Sequence, residues 1–326
     1  MTILLNQENV ARLLKMPDCI GVIERAFADY ANGKTDIPPR IKLHGPSAGD
    51  GYFMPGSVNA DLPAFGIKIV TEFSSNNTIG LPSIYGLIVL LDTMTGQPLA
   101  IMDGRYITNT RTGAASAVAA KYLAREDAQS AGVLGFGEQA FAQLMAISAV
   151  RRLNNVRIYS PSAAEKTNRA KLFSETIGVP VEIALNAEAA CTDADIIILA
   201  TNHTGEVIDG DWVKPGAFVN AVGFHTRTRA ELDSKTLSKA DVIVCDERAA
   251  AVKESGDIIA ALAGGVIDAD QLVNLGDIVI AREKGRTHPE QITVYRSLGN
   301  AFQDLAAASY VYHQAVSRGI GTEFTF

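Results

Sequence analysis

The stretch Ala131-Gly132-Val133-Leu134-Gly135-Phe136-Gly137-Glu138-Gln139-Ala140 decides the fold. A short apolar strand runs into G-x-G-x-x-A, and an amphipathic segment from Phe141 to Arg152 follows. A dinucleotide pyrophosphate requires that order. Gly135 permits the tight turn out of the strand, and Gly137, lacking a side chain, lets the backbone approach the phosphates. Ala140 lets the helix lie close on the sheet, and the helix N-terminus faces the negative charge. The spacing alone is a weak signal, because Gly-rich turns are common. Its setting strengthens it: a strand before, a helix after, and further strand–helix units beyond. The stretch therefore reads as a nicotinamide dinucleotide site, with Gly135, Phe136, Gly137, Glu138, Gln139 and Ala140 as its first residues.

From Ala131 onward the pattern is alternation. Strand candidates are Gly132–Leu134, Val156–Tyr159, Val181–Ile183, Ile196–Thr201, Phe218–Val222 and Val242–Cys245, with helix candidates between most of them. Apolar strands alternating with helices predict a parallel sheet covered on both faces. The first third reads differently. Pro17 to Lys34 has helical spacing, with Pro17 suited to a first turn. Strand-like pieces then follow in succession: Arg40–Leu43, Gly51–Met54, Phe65–Thr71 and Tyr85–Asp92. Strands without helices between them predict an antiparallel or mixed sheet. An Ala-rich helix from about Thr112 to Ala124 connects the two parts. A strand at Ile292–Tyr295 and a long helix from about Asn300 to Arg318 close the chain, and such a helix often returns to the first domain. The expected class is α/β: a Rossmann-type parallel-sheet nucleotide domain over residues 121–301, plus an α+β domain over residues 1–120 with 302–326.

Composition narrows the function. The chain has 326 residues and a formal net charge of −7, and it contains no Lys/Arg block, which argues against a nucleic acid partner. Apolar runs such as Leu87 to Leu91 and Ile196 to Ala200 are too short to cross a membrane. The start, Met1-Thr2-Ile3-Leu4-Leu5-Asn6, lacks the basic region of a signal peptide, so none is expected. Cys19, Cys191 and Cys245 are scattered and odd in number, which suits a reduced cytoplasm. The five His and three Cys show no metal-ligand spacing, and neither G-x-S-x-G nor a P-loop occurs.

Several blocks carry a resemblance. Ile107-Thr108-Asn109-Thr110-Arg111-Thr112-Gly113-Ala114-Ala115-Ser116-Ala117, then Lys121-Tyr122-Leu123-Ala124 and the Gly-rich turn, resemble the ornithine cyclodeaminase/mu-crystallin family. Gly80-Leu81-Pro82-Ser83, Leu91-Asp92-x-x-Thr95-Gly96, Glu231-Leu232-Asp233 and Gln303-Asp304-Leu305-Ala306 also match, in the expected order over nearly the whole chain. The family includes cyclodeaminases, an archaeal-type alanine dehydrogenase and reductases of imino acids, all working imine chemistry beside a carboxylate. The resemblance implies a homodimer whose N-terminal sheets meet, so the α+β domain would serve both substrate binding and dimerisation.

Carried onto this sequence, the resemblance implies a site. A small imino acid presents a carboxylate, and Arg binds both oxygens better than Lys does. Arg40, after Pro38-Pro39, and Arg111, before the bridging helix, match the family's carboxylate-binding positions; the alternative for Arg40 is a solvated surface arginine. Lys68 lies in the apolar strand Phe65-Gly66-Ile67-Lys68-Ile69-Val70, where burial lowers an ammonium pKa toward neutrality. The bland alternative is a lysine snorkelling from a sheet edge. The family places its substrate lysine here. Ser83 matches a substrate-contacting hydroxyl, or serves only as a turn residue. Asp304 joins the substrate-binding set. Thr112, Ala200, Thr201, Asn202, Val222 and Gly223 complete the cofactor set.

Two departures matter. Cyclodeaminases carry an Asp directly after the Gly that ends the strand corresponding to Val219–Gly223. Here that position is Phe224, and the stretch to Glu231 is one residue longer, as in the mu-crystallin and imine-reductase branch. Deamination with ring closure is therefore not expected. His225 is a candidate proton donor at the substrate, or simply a hydrogen-bonded loop residue. Arg296 stands where relatives often have Lys or Asp, and it receives no role.

NAD enzymes usually place an acid at the end of the second strand of the nucleotide domain. Here Val156-Arg157-Ile158-Tyr159 runs into Ser160-Pro161-Ser162, and Lys166 and Arg169 follow. Hydroxyls beside cations suit a 2′-phosphate, so NADPH is expected over NADH, with NADH possible; the alternative is that Lys166 and Arg169 form a solvated helix face. The expected activity is NAD(P)H-dependent reduction of a small cyclic 2-imino acid: Δ1-pyrroline-2-carboxylate to proline, or Δ1-piperideine-2-carboxylate to pipecolate. Alanine-dehydrogenase-like activity, ornithine cyclodeamination, and a small-molecule binder or structural protein of mu-crystallin type are the alternatives.

Overall fold

The computed structural model describes residues 1–46, 49–161, 167–223 and 226–325. In chain order, the first part comprises β1 (Thr2–Leu5), α1 (Gln7–Leu13), α2 (Met16–Ala31), β2 (Thr35–Asp36), β3 (Ile41–His44), β4 (Asp50–Val58), β5 (Ala64–Glu72), β6 (Ile84–Leu91) and β7 (Pro98–Asp103). Next come α3 (Gly104–Leu123), β8 (Ser130–Leu134), α4 (Glu138–Ser148), β9 (Asn155–Tyr159), α5 (Thr167–Ile177), β10 (Val181–Ile183), α6 (Ala187–Cys191), β11 (Ile196–Leu199) and β12 (Phe218–Ala221). The remainder is α7 (Ser234–Lys239), β13 (Val242–Cys245), α8 (Arg248–Glu254), α9 (Gly256–Ala263), β14 (Leu272–Asn274), α10 (Leu275–Val279), β15 (Thr293–Arg296), α11 (Ala301–Arg318) and β16 (Thr322–Phe324).

The chain forms two compact units, residues 1–111 with 299–326 and residues 112–298. The division falls inside α3, between Arg111 and Thr112.

The first unit holds an eight-stranded mixed sheet in the order β16-β1-β7-β6-β5-β4-β2, with β3 also on β4. Among the described residues, β1 and β7 are its one parallel pair. Alternation divides β5 cleanly: Ala64, Gly66 and Lys68 are buried, whereas Phe65 is exposed and Ile67 and Ile69 are half-buried. The buried face lies against α11, where Ser309 Oγ donates to Pro63 O at 2.9 Å. The aromatic ring of Phe302 packs edge-on to Phe27 of α2, with centroids 5.3 Å apart, and stacks on Tyr30 at 4.8 Å. Local chemistry sets the helix ends. Asn6 and Asn9 form a capping box at α1, and Pro17 occupies the first turn of α2. Asp103 Oδ1 accepts from Tyr106 N at 2.9 Å, which starts α3 at Gly104, eight residues before the expected start near Thr112. Arg111 therefore sits within the helix, not before it. The apolar pattern leaves β1, β2, β7, β14 and β16 unmarked; each has two to six residues.

The second unit holds an all-parallel sheet in the order β10-β9-β8-β11-β12-β15-β13-β14. Every residue of β11, β12 and β15 is buried, as strands covered on both faces require. The chain order reverses between β8 and β11, the switch point at which such sheets bind dinucleotides. The strand β15 inserts between β12 and β13, so its last residue, Arg296, stands in the sheet interior.

Candidate functional site

In the first unit, three charged side chains from separate elements meet out of water. Lys68 of β5 lies beside Met54 of β4 and Ile88 of β6 in the sheet register, both buried. Because β5 is flanked on both sides, the sheet-edge alternative for Lys68 fails. Its Nζ is 2.6 Å from Asp304 Oδ2 of α11, with the two side chains 2% and 0% exposed. Arg111 of α3 donates from Nε to Asp304 Oδ1 at 2.8 Å and from Nη1 to Gln303 Oε1 at 2.7 Å. One carboxylate thus faces two cations, and the cluster keeps a net positive charge, suited to an anionic ligand.

Burial pushes the Lys68 pKa down to about 8; Asp304 pulls it up, while Arg111 and Arg40 push it further down. The resulting group exchanges a proton near neutral pH. Arg40 is half-buried and donates from Nη2 to Gly299 O at 2.9 Å. Gly299 has φ +71, and a Cβ there would lie 2.7 Å from both Nη atoms of Arg111. Only glycine allows that approach. The structure thus brings Lys68, Arg111 and Asp304 into direct contact, and Arg40 joins through Gly299. Ser83 lies just before β6, half-buried, with its carbonyl accepting from Phe73 N at 2.8 Å. The sequence reading missed Gln303 as a partner of Arg111. The signal in the sequence is two adjacent polar residues, Gln303 and Asp304, in an otherwise Ala-rich amphipathic stretch, and the structure buries both.

In the second unit, the turn after β8 has the geometry the motif requires. Gly135 has φ +113, and a Cβ there would lie 2.2 Å from Ala200 O. Gly137 is the opposite case. It is exposed, its N-cap position on α4 has no side-chain cap, and a Cβ there would meet nothing within 4 Å. An open glycine at the N-terminus of an 11-residue helix fits a pyrophosphate. Phe136 and Ala140 are buried, and the Phe136 ring packs edge-on to Phe173 with centroids 5.2 Å apart. Glu138 is exposed and Gln139 half-buried.

The second strand, β9, ends in Tyr159, and no acid occupies Ser160 or Pro161 beyond it. Arg169 of α5 lies over the Phe173 ring, 5.6 Å from its centroid. Ser162 and Lys166, and likewise Phe224 and His225, lie outside the described residues. At the far side of the switch point, Glu231 is fully buried. Its Oε1 accepts from Thr201 N at 2.9 Å and Thr201 Oγ1 at 2.6 Å, and its Oε2 accepts from Gly223 N at 2.7 Å. A Cβ on Gly223 would lie 2.0 Å from that carboxylate. Ala200 is buried, Asn202 exposed and Val222 half-buried; Thr112 is buried within α3. Among the described residues, no His/Cys/Asp/Glu group is arranged to hold a metal ion.

Residues 1–319 match the model of the ornithine cyclodeaminase/mu-crystallin family. The chain belongs to this family. Within the family, it is 34% identical over 316 residues to a Δ1-pyrroline-2-carboxylate reductase of Bacillus cereus, covering 97% of each chain. Its fold is similar to that of the Thermococcus litoralis Δ1-pyrroline-2-carboxylate reductase in complex with NADH and L-proline, with a TM-score of 0.94, 37% identity and coverage of 99% of this chain and 100% of that one. It is also similar to an archaeal alanine dehydrogenase dimer with bound NAD, with a TM-score of 0.91, 35% identity and coverage of 100% and 99%.

Proposed function

We propose that this chain is an oxidoreductase that reduces a small cyclic 2-imino acid with NAD(P)H. Δ1-Pyrroline-2-carboxylate, giving L-proline, is the first substrate, with Δ1-piperideine-2-carboxylate, giving L-pipecolate, beside it. The observation that carries this reading is the buried Lys68 ammonium, poised near neutrality within a cluster of net positive charge. Arg40 and Arg111 hold the substrate carboxylate. Lys68 keeps the imine nitrogen protonated, which makes the adjacent carbon electrophilic. Asp304, with its oxygens facing Lys68 and Arg111, serves as the counter-ion that orients both cations. A bound reduced nicotinamide supplies the hydride, so the C=N bond gains a hydride at carbon and a proton at nitrogen. Positioning and electrostatics provide most of the acceleration.

Gly135 and Gly137 cradle the pyrophosphate. The absence of an acid at Ser160, Pro161 and Ser162, with Lys166 and Arg169 following, supports NADPH over NADH. The outer face of the first unit's sheet supports a homodimer. It presents Ile41, Leu43, Phe65 and Leu87 to solvent, each at least 40% exposed. An apolar face of this kind marks an interface.

The likeness to an alanine dehydrogenase favours one second reading, reductive amination of pyruvate. The test is dinucleotide oxidation with each cyclic imine and with pyruvate plus ammonium, and a separate assay of ornithine plus NAD with ammonia and proline measured. Imine reduction far above the other two is expected. Ornithine turnover comparable to imine reduction would overturn the reading.

A further inference from the structure

Arg296 is wholly buried in the second unit. Its Nε donates to Ser255 Oγ at 3.0 Å and lies 3.2 Å from Asp257 Oδ2. Its Nη1 donates to Ala221 O at 3.3 Å and lies 3.7 Å from Glu231 Oε2. Nη2 has no hydrogen-bond partner among the described residues. Glu231, in turn, ties the chain leaving β11, at Thr201, to the chain leaving β12, at Gly223. Three donors point at its two oxygens. Only the carboxylate accepts from all three at full strength, since a protonated acid or an amide gives up one oxygen as a donor.

We propose that Arg296 is a positioning residue of the dinucleotide site: its cation keeps Glu231 ionised, and ionised Glu231 holds Thr201 and Gly223 in the arrangement that binds the dinucleotide. This rests on reading the second unit as the dinucleotide unit. Among the described residues, the charged groups facing Glu231 are Arg296 from β15 and Asp257 from α9, whose Oδ2 accepts from Glu231 N at 3.4 Å. Burial raises the Glu231 pKa, and Arg296 is the chief influence opposing that rise. Without the guanidinium, the buried Glu231 carboxylate would keep only hydroxyl and amide donors, and its proton affinity would rise further.

The test uses Arg296→Met, Glu231→Gln, the double variant and Arg296→Lys in the full chain. NADH affinity is measured by fluorescence titration from pH 6 to 9, together with the melting temperature. NADH avoids titration of a 2′-phosphate. Wild-type Kd is expected to be flat across this range. For Arg296→Met, Kd is expected to rise about tenfold at pH 6 and to recover as pH increases and Glu231 ionises. The double variant should bind weakly at every pH, and Arg296→Lys should restore most of the flat profile. A merely structural arginine would lower the melting temperature and leave NADH affinity flat with pH, and that outcome overturns the proposal. Should Arg296→Met fail to fold, Glu231→Gln decides: wild-type affinity in that variant also overturns it. Failure of the wild-type chain to bind either NADH or NADPH would instead remove the underlying reading.

Discussion

The ammonium of Lys68 and the carboxylate of Asp304 approach to 2.6 Å in a place neither shares with solvent. A buried pair of this kind is costly to assemble and worse to break. It survives here because Arg111 supplies a second hydrogen-bonding cation to the same carboxylate.

Lys68 is the first residue to test. Lys68→Ala should lower turnover by about 10²–10⁴-fold, the loss typical of an acid/base group, while dinucleotide affinity stays near wild type. Lys68→Arg should not rescue, since a guanidinium is larger and stays protonated. The ammonium is the proton-holding form and prevails below its pKa of about 8, so wild-type kcat/KM should fall as pH rises through about 8. The substrate imine titrates as well, so the same profile measured on Lys68→Ala separates the two. Wild-type turnover in Lys68→Ala would show a structural lysine.

Asp304→Asn should have a different signature. It removes the charge that pulls the Lys68 pKa upward, so the alkaline fall in kcat/KM should move to lower pH. It also leaves two cations uncompensated, at a cost of about 3–5 kcal/mol in stability. Urea denaturation and the pH profile are the measurements. An unmoved alkaline limb would count against the counter-ion role.

The two motif glycines should separate fold from binding. Gly135→Ala puts a Cβ 2.2 Å from Ala200 O at φ +113, so it should destabilise by more than about 1 kcal/mol. Gly137→Ala meets open space and should leave the melting temperature unchanged, yet weaken dinucleotide binding where the phosphates approach the backbone. Wild-type dinucleotide affinity in Gly137→Ala would place the phosphates elsewhere.

Coenzyme choice should respond at the end of β9. With no acid at Ser160 or Pro161, kcat/KM should be higher with NADPH than with NADH. Ser160→Asp should move the preference toward NADH, because an acid repels a 2′-phosphate and accepts from a ribose hydroxyl. Equal kcat/KM values in the parent chain would defeat this reading.

The outer sheet face should govern assembly. Leu87 is 40% exposed beside Ile69 in the strand register. Leu87→Asp should convert a dimer to a monomer in light scattering, since a buried, unpaired carboxylate is intolerable at an apolar interface. A dimer unaffected by Leu87→Asp would move the interface to another surface.

What the sequence determined by itself was local. The Gly135–Ala140 turn, the alternation of β8 to β13 with helices, and the apolar strand around Lys68 are written in neighbouring residues, because backbone sterics and side-chain period act over a few positions. The start of α3 was legible only in hindsight, through the side chain of Asp103. Tertiary structure decided the rest. It placed β5 in the sheet interior, and so made Lys68 a buried ammonium and not an edge lysine. It joined Arg111 to Asp304 across 193 positions, and Arg296 to Asp257 and Glu231 around a single guanidinium. A charge carries no record in the sequence of which opposite charge will meet it. That meeting is set by the packing of strands and helices, and in the low dielectric they create, it sets the proton affinity of the site.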